Sequence, residues 1–136
     1  MMQALVRKLR AAADRRLPPH LRQARRGEDL AYDFLRNRGY RIVATNYRAR
    51  HGRGEVDLFA HDDDLLVCVE VKTRKSASFG RPEEFVDREK KRHLIRTANE
   101  YARRTGWNPL RIRYDIISVT LEPETQIEHF PGAFHG

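Results

Sequence analysis

The sequence predicts a single α/β domain, and three observations carry that expectation. Its 136 residues suit one domain, long enough to bury roughly two-thirds of the unfolded surface without help from metal or disulfide. Apolar residues recur at helical spacing around Leu30 to Leu35 and around Leu94 to Ala102, the mark of two amphipathic helices. Between and after them lie short runs of Val, Ile and Leu bounded by Gly, Asn and Asp, which read as strands. Hydrophobic residues at 40% and charged residues at 34% place the chain among polar globular proteins and exclude disorder.

Leu5, Val6, Leu9, Ala13 and Leu17 alternate with Arg7, Lys8, Arg10, Arg15 and Arg16, the pattern of a short basic amphipathic helix that Pro18 and Pro19 break. Residues 1–20 have four open readings: a nucleic-acid arm, a membrane-surface helix, a transit-like extension or a poorly ordered tail, the last preferred. From Leu21, the positions Ala24, Leu30, Ala31, Phe34 and Leu35 trace a second helix, with Gly39 as its left-handed cap. Glu28 falls on or beside the apolar stripe, where a lone glutamate is less usual than on the solvent face.

Tyr40 to Asn46 reads as a strand, and Gly52, Arg53 and Gly54 as the turn before a second, Glu55 to Ala60. Period-two alternation there puts Val56, Leu58 and Ala60 on one face and Glu55, Asp57 and Phe59 on the other. His61 to Asp64 form a polar hairpin turn whose aspartates lack the spacing of an EF-hand loop. Leu65 to Lys72 is a central strand buried on both sides, with Cys68, Glu70 and Lys72 on one face and Val67, Val69 and Val71 on the other. After a loop over Ser76 to Gly80, Pro82 opens a helical region to about Arg104, with Leu94, Ile95, Ala98, Tyr101 and Ala102 as its stripe. Arg111 to Thr120 is another apolar strand, in which Asp115 reads as half of a structural ion pair. The tail, with Ile127, Phe130 and Phe134 among acids, either docks on the domain or forms a dimer seam.

The formal net charge is +8, but residues 1–26 hold +7 of it. In the remainder the charge is blocky: residues 54–70 carry six acids and neither Lys nor Arg, between basic segments on both sides. Arg53, Arg74, Lys75, Lys90 and Lys91, drawn from those segments, are the candidates for neutralising phosphates. The single cysteine, Cys68, excludes an intrachain disulfide and points to a reducing, cytoplasmic setting. The longest apolar run, Leu65 to Val69, is too short to span a bilayer, so membrane association is not expected.

The hairpin brings Asp57 and Glu70 together as cross-strand neighbours, and Lys72 lies about 6–7 Å along the strand from Glu70. Two carboxylates offer hard oxygens to Mg²⁺ or Mn²⁺, and the backbone carbonyl of Val71 completes the protein side. Such a metal polarises a phosphodiester and acidifies water, while the Lys72 ammonium orients that water or steadies charge on the phosphate. Glu28 is placed to hold a water or a second ion. No Ser, His and Asp arrangement, phosphate-cradling glycine loop or HExxH offers a rival chemistry.

The spacing Asp57, then Glu70, Val71, Lys72, with the two acids thirteen positions apart, resembles the PD-(D/E)XK motif of the restriction-endonuclease-like superfamily, with Val56 in place of the proline. The wider pattern is more specific: Gly27 and Glu28, Gly39 and Tyr40, Asn46, Gly54 to Leu58, Val69 to Arg74, Val86, Lys90, and Tyr114 with Asp115. Over roughly residues 24–120 it is similar to the YraN family of bacterial proteins, thought to be related to archaeal Holliday junction resolvases. That resemblance implies a mixed central sheet flanked by helices, with Glu28, Asp57, Glu70 and Lys72 at the nuclease-type positions and Glu55 in the same stretch. It divides the chain into a basic extension over residues 1–20, an endonuclease-like domain over 21–121 and an acidic tail over 122–136. The function it implies is metal-dependent, structure-selective DNA cleavage, with DNA favoured over RNA and a homodimer suited to two symmetric cuts in a junction. The alternative is a non-catalytic nucleic-acid-binding accessory in DNA recombination or uptake.

Overall fold

Proline sets the first boundary. The computed structural model describes residues 2–77 and 86–136; α1 spans Met2–Asp14, and α2 starts at Pro19 and runs to Asn37. Pro19 suits the first turn of α2 because its missing N–H would find no helical partner there. Gly39 ends α2 with φ of 89°, a left-handed conformation that is easy for glycine alone. From there come β1 (Arg41–Arg48), β2 (Glu55–Asp62) and β3 (Leu65–Arg74). Residues 78–85, where the loop and the Pro82 helix start were expected, lie outside the described residues. Past them, α3 (Arg88–Thr105) begins on Asp87, whose side chain accepts from the Lys90 N–H at 2.8 Å, a side-chain N-cap. β4 (Ile112–Thr120) and β5 (Gln126–Phe134) complete the chain.

The five strands lie in sequence order in one sheet. β1, β2 and β3 form an antiparallel meander, β3 and β4 are parallel, and β4 and β5 are antiparallel. A parallel pair needs a long crossover, and α3 supplies it. α2 covers one face of the sheet and α3 the other. Because helices cover both of its faces, β3 must be apolar nearly throughout: Leu66 through Val71 are all buried, Glu70 included. Val67, Val69 and Val71 pack under α2 with Ala31, Leu35 and Ile117. Leu66 and Cys68 lie in the core under α3 with Phe59, Leu94, Ala98 and Tyr101. The expected mixed α/β sheet flanked by helices is therefore what the chain forms.

One strand departs from simple alternation. Val56 packs in the α3-side core, whereas Leu58 and Ala60 pack under α2, so the three do not share a face as period two required. The reversal occurs at Asp57. Opposite it in the β1–β2 register, between Thr45↔Leu58 and Tyr47↔Val56, stands Asn46 with φ of 49°. A left-handed residue twists the ribbon locally, and asparagine tolerates that conformation better than most.

The N-terminal helix is tied to α2 and the C-terminal segment to the sheet. Arg7 forms a two-pronged contact with Asp33 of α2, at 2.9 and 3.1 Å, leaving Leu5, Val6 and Leu9 of α1 exposed. The tail docks as β5 against β4, and a buried cluster locks it. Asp115, wholly buried, accepts from Arg113 Nε and Nη2, both at 2.9 Å, and from the Gly132 N–H, and lies 2.7 Å from His129 Nε2. Burial opposes ionisation of Asp115, but His129, Arg113 and the Gly132 amide outweigh it and hold its carboxyl below the ordinary value. No helix among the described residues is long and apolar enough to cross a membrane.

Two outcomes follow from this packing. A Cβ added at Gly27 would overlap the Thr73 side chain, so Gly27→Ala should cost about 1–3 kcal/mol, and pairing it with Thr73→Ala should recover part of the loss in a urea titration. Asp115→Asn should cost about 1–3 kcal/mol at neutral pH by removing a charged acceptor from Arg113, which keeps Asp62 and the Tyr40 hydroxyl. Since the folded carboxyl titrates below the unfolded value of about 3.9, Asp115 stabilises fully above that value and stops doing so as pH falls through its folded value. The gap between wild type and Asp115→Asn in acid-unfolding curves should close in that range.

Candidate active site

At the end of the β2–β3 ladder, backbone pairing gives way to side chains. The register runs from Asp62↔Leu65 back to Leu58↔Val69 and stops. One step further, the Val71 N–H donates to Asp57 Oδ2 at 2.8 Å instead of to a carbonyl of β2. In a strand, the N–H and C=O of one residue face the same edge, so the edge that presents the Val71 N–H to Asp57 presents its carbonyl there as well. The structure thus brings Asp57, Glu70 and the Val71 backbone together, as the sequence spacing required.

The electrostatics of the pair are unfavourable without a cation. Glu70 is buried, and its carboxyl neighbours that of Asp57 closely enough to perturb it. Loss of solvation, and then the charge and hydrogen bond of Glu70, raise the Asp57 carboxyl well above its ordinary value; the Val71 N–H and the Lys90 charge only partly oppose this. A carboxyl whose ionisation is opposed by burial and a neighbouring acid is a familiar device of catalytic centres. Among the described residues Glu70 Oε2 is buried without a hydrogen bond, and the nearest cation, Lys90 Nζ, stands 3.4 Å away. That is a charge contact without hydrogen-bond geometry, and the oxygen keeps an unfilled lone pair.

A hard divalent cation fits this donor set. Two carboxylates at one point, a buried oxygen without a donor and a carbonyl-bearing strand edge match the oxygen-rich, few-ligand preference of Mg²⁺. Among the described residues no cluster of three His, Cys, Asp or Glu side chains converges as metal ligands. Any cation there would rest on Asp57, Glu70 and backbone oxygen, and Glu28 does not join the pair in such a cluster.

Glu28 approaches by another route. Gly27 lets α2 lie directly against Thr73 near the end of β3, and the next residue, Glu28, accepts from Asn46 Nδ2 at 3.2 Å. Asn46 is the residue opposite Asp57, so Glu28 is linked to the site through the twisted position of β1. Lys72 shares the α3-side face with Glu70, is partly exposed and forms no ion pair among the described residues. Asn46 belongs to the sequence pattern without being one of its acidic positions, and an asparagine inside a strand is its signal.

The predicted phosphate contacts are spread around this centre. Arg53 lies in the β1–β2 loop, whose Arg50 and His51 N–H groups are held by Glu100 of α3 at 3.0–3.3 Å. Glu100, which sequence reasoning missed, is kept below the ordinary glutamate value first by the Arg50 amide, against a smaller loss of solvation, with Tyr47 also donating to it. Gly54, at the end of the loop, packs so closely on Thr97 and His93 of α3 that a Cβ would overlap Thr97. Arg74 and Lys75 close β3, Lys90 pairs with Glu70, and the Lys91 ammonium stands 5.6 Å from the Phe134 ring centre.

A mixed five-stranded sheet with helices on both faces, and an acidic pair where two of its strands part, defines an α/β protein consistent with the restriction-endonuclease-like fold. The model of "Uncharacterised protein family UPF0102" matches residues 27–119. The chain is 46% identical over 120 residues to a UPF0102 protein of Solibacter usitatus, covering 88% of this chain and 89% of that one. It is 45% identical over 113 residues to one of Anaeromyxobacter dehalogenans, covering 82% and 83%, and 44% identical over 110 residues to UPF0102 protein FP2501 of Flavobacterium psychrophilum, covering 80% and 90%. The protein belongs to the UPF0102 (YraN) family.

Because its folded carboxyl titrates above the unfolded value, ionised Asp57 opposes folding. That penalty is absent below about pH 3.9 and grows as pH rises toward the folded value. Asn keeps an acceptor for the Val71 N–H, so in EDTA Asp57→Asn should raise the melting temperature at pH 7–8 and leave it unchanged near pH 3.5. Equal melting temperatures at both pH values would remove the electrostatic account of the site.

Proposed function

We propose that this protein is a divalent-metal-dependent endonuclease acting on DNA, with branched or junction DNA as its preferred substrate. The observation that carries the reading is the Asp57–Glu70 pair at the point where the ladder ends, with a buried Glu70 oxygen lacking a hydrogen bond. A structural role does not account for two adjacent acids in a desolvated place, since one apolar pair would be more stable there.

Mg²⁺ or Mn²⁺, when bound, supplies Lewis-acid polarisation of a phosphodiester and a more acidic water. The residues prepare for it. Asp57 and Glu70 contribute one carboxylate each and the Val71 carbonyl the backbone oxygen, while the Val71 N–H fixes the rotamer of Asp57. Lys72, on the same face as Glu70, offers its ammonium to negative charge developing on the phosphate. Glu28, held by Asn46, positions the opposite wall of the site and can orient a water. Arg53, Arg74, Lys75 and Lys91 hold flanking phosphates, which fix register without reading sequence; that suits recognition of DNA shape over base identity. The cut strand must enter singly or in a distorted duplex, and two copies related by a twofold axis would make paired cuts in a junction.

Incubation with labelled four-way junction, flap, single-stranded and duplex DNA tests the proposal. Cleavage is expected in Mg²⁺ or Mn²⁺, absent in EDTA, and reduced at least about 10²–10³-fold by Asp57→Asn or Lys72→Ala. Metal-independent binding without cleavage of any substrate would assign the protein instead to the accessory, non-catalytic class.

A further inference from the structure

Lys90 stands in a place that the sequence did not suggest. It was a candidate for phosphate, yet its ammonium stands 3.4 Å from Glu70 Oε2, the oxygen that otherwise has no donor. The two ends of this contact are unlike: the Glu70 side chain is 7% exposed and that of Lys90 43%. The ammonium therefore reaches inward from the solvent side and covers the outward approach to Glu70. Its backbone is fixed independently, because Lys90 N–H is bound by the N-cap Asp87, so the side chain can leave without disturbing α3. A lysine stem has four flexible bonds and a strongly hydrated head, and the contact lacks hydrogen-bond geometry; both make it displaceable.

We propose that the Lys90 ammonium acts as a built-in counter-ion standing in for the divalent cation at Glu70, and that a nucleic-acid phosphate draws it away, so that substrate and metal bind cooperatively. The inference rests on the proposed reading of the site. An ammonium and a divalent cation cannot share one carboxylate oxygen, since their repulsion a few ångströms apart amounts to several kcal/mol even at an effective dielectric of about 20. Lys72, on the same face, adds a second positive charge, while Asp57 and Glu70 supply the acids. With Lys90 in place Glu70 already has a counter-charge, and metal binding is weak. A phosphate offers Lys90 a better-solvated partner on the exposed side and uncovers Glu70. By linkage, the metal in turn favours Lys90 on the phosphate by the same factor. Lys90 is thus a positioning residue, and this arrangement would keep the hydrolytic metal out of a protein that carries no substrate.

Calorimetric titration of Mg²⁺ into the full chain, free of nucleic acid, tests this without any turnover. Lys90→Met keeps the stem and removes the charge; it should bind Mg²⁺ roughly tenfold more tightly than wild type. Lys90→Arg should resemble wild type, and Asp57→Asn should bind no Mg²⁺. A short phosphorothioate duplex should tighten Mg²⁺ binding to wild type and leave Lys90→Met unchanged. Lys90→Met binding no more tightly than wild type, with Asp57→Asn still abolishing binding, overturns the role of Lys90 and spares the metal site. A duplex without effect on wild type overturns the coupling. Mg²⁺ binding that survives Asp57→Asn, or that is absent from every variant, overturns the site itself.

Discussion

Everything near the acidic pair depends on one exchange: the Val71 amide, which the ladder would give to a β2 carbonyl, is given to the Asp57 carboxylate. Had the antiparallel register continued, the polar atoms of the two strands would have satisfied each other and left no open edge. Ending the pairing one step early separates the strands, turns Asp57 toward Glu70 and frees the edge of β3. Because β3 is paired with β4 through Arg74, it cannot follow β2 away. The opening is held by the rigid central strand and cannot relax by sliding.

The same strand explains why acids can be kept so deep. Its α2 side is a row of valines under a helix that Gly27 allows to lie against Thr73. Its α3 side runs from Leu66 and Cys68 in the core to Glu70 and Lys72 at the site. The apolar half provides the burial that anchors the strand, and the polar half spends some of that stability on two neighbouring carboxyls. Raising the Asp57 carboxyl is the cost of that arrangement. It is bearable because the central strands β2, β3 and β4 are otherwise mostly buried and apolar, and because Asp115 closes its own charges completely at the β4–β5 end.

The sequence revealed whatever is set by periodicity or by local backbone preference. The valines of β3 alternate with Cys68, Glu70 and Lys72, Gly39 closes α2 and the apolar stripe of α3 repeats on its buried side, all short-range regularities. Val56 broke the pattern because its face is set across the ribbon by the left-handed backbone of Asn46, and alternation within β2 has no knowledge of β1. The docking of the tail was equally invisible: Ile127 and Phe130 mark an apolar face, but only Asp115, His129 and Gly132 in contact decide what that face covers. Glu100 reads as an ordinary helix glutamate until the β1–β2 loop is folded over it. For the site, the acids and Lys72 were legible from spacing, whereas the Glu28–Asn46 link and the Lys90–Glu70 contact join distant segments and leave no local trace.

The meaning of the +8 charge changes on the same grounds. Most of it lies in residues 1–26, and the described N-terminal side chains that are exposed face water, where salt reduces their influence beyond about 8–10 Å. Arg7 is already committed to Asp33. What governs an ion approaching Glu70 is the local balance of Asp57, Glu70, Lys72 and Lys90 in a place of low polarity, where one unit of charge outweighs several on a distant helix. The long-range field can gather a polyanion to the surface and set the rate of encounter. Whether a cation then enters is decided by which partner the Lys90 ammonium holds.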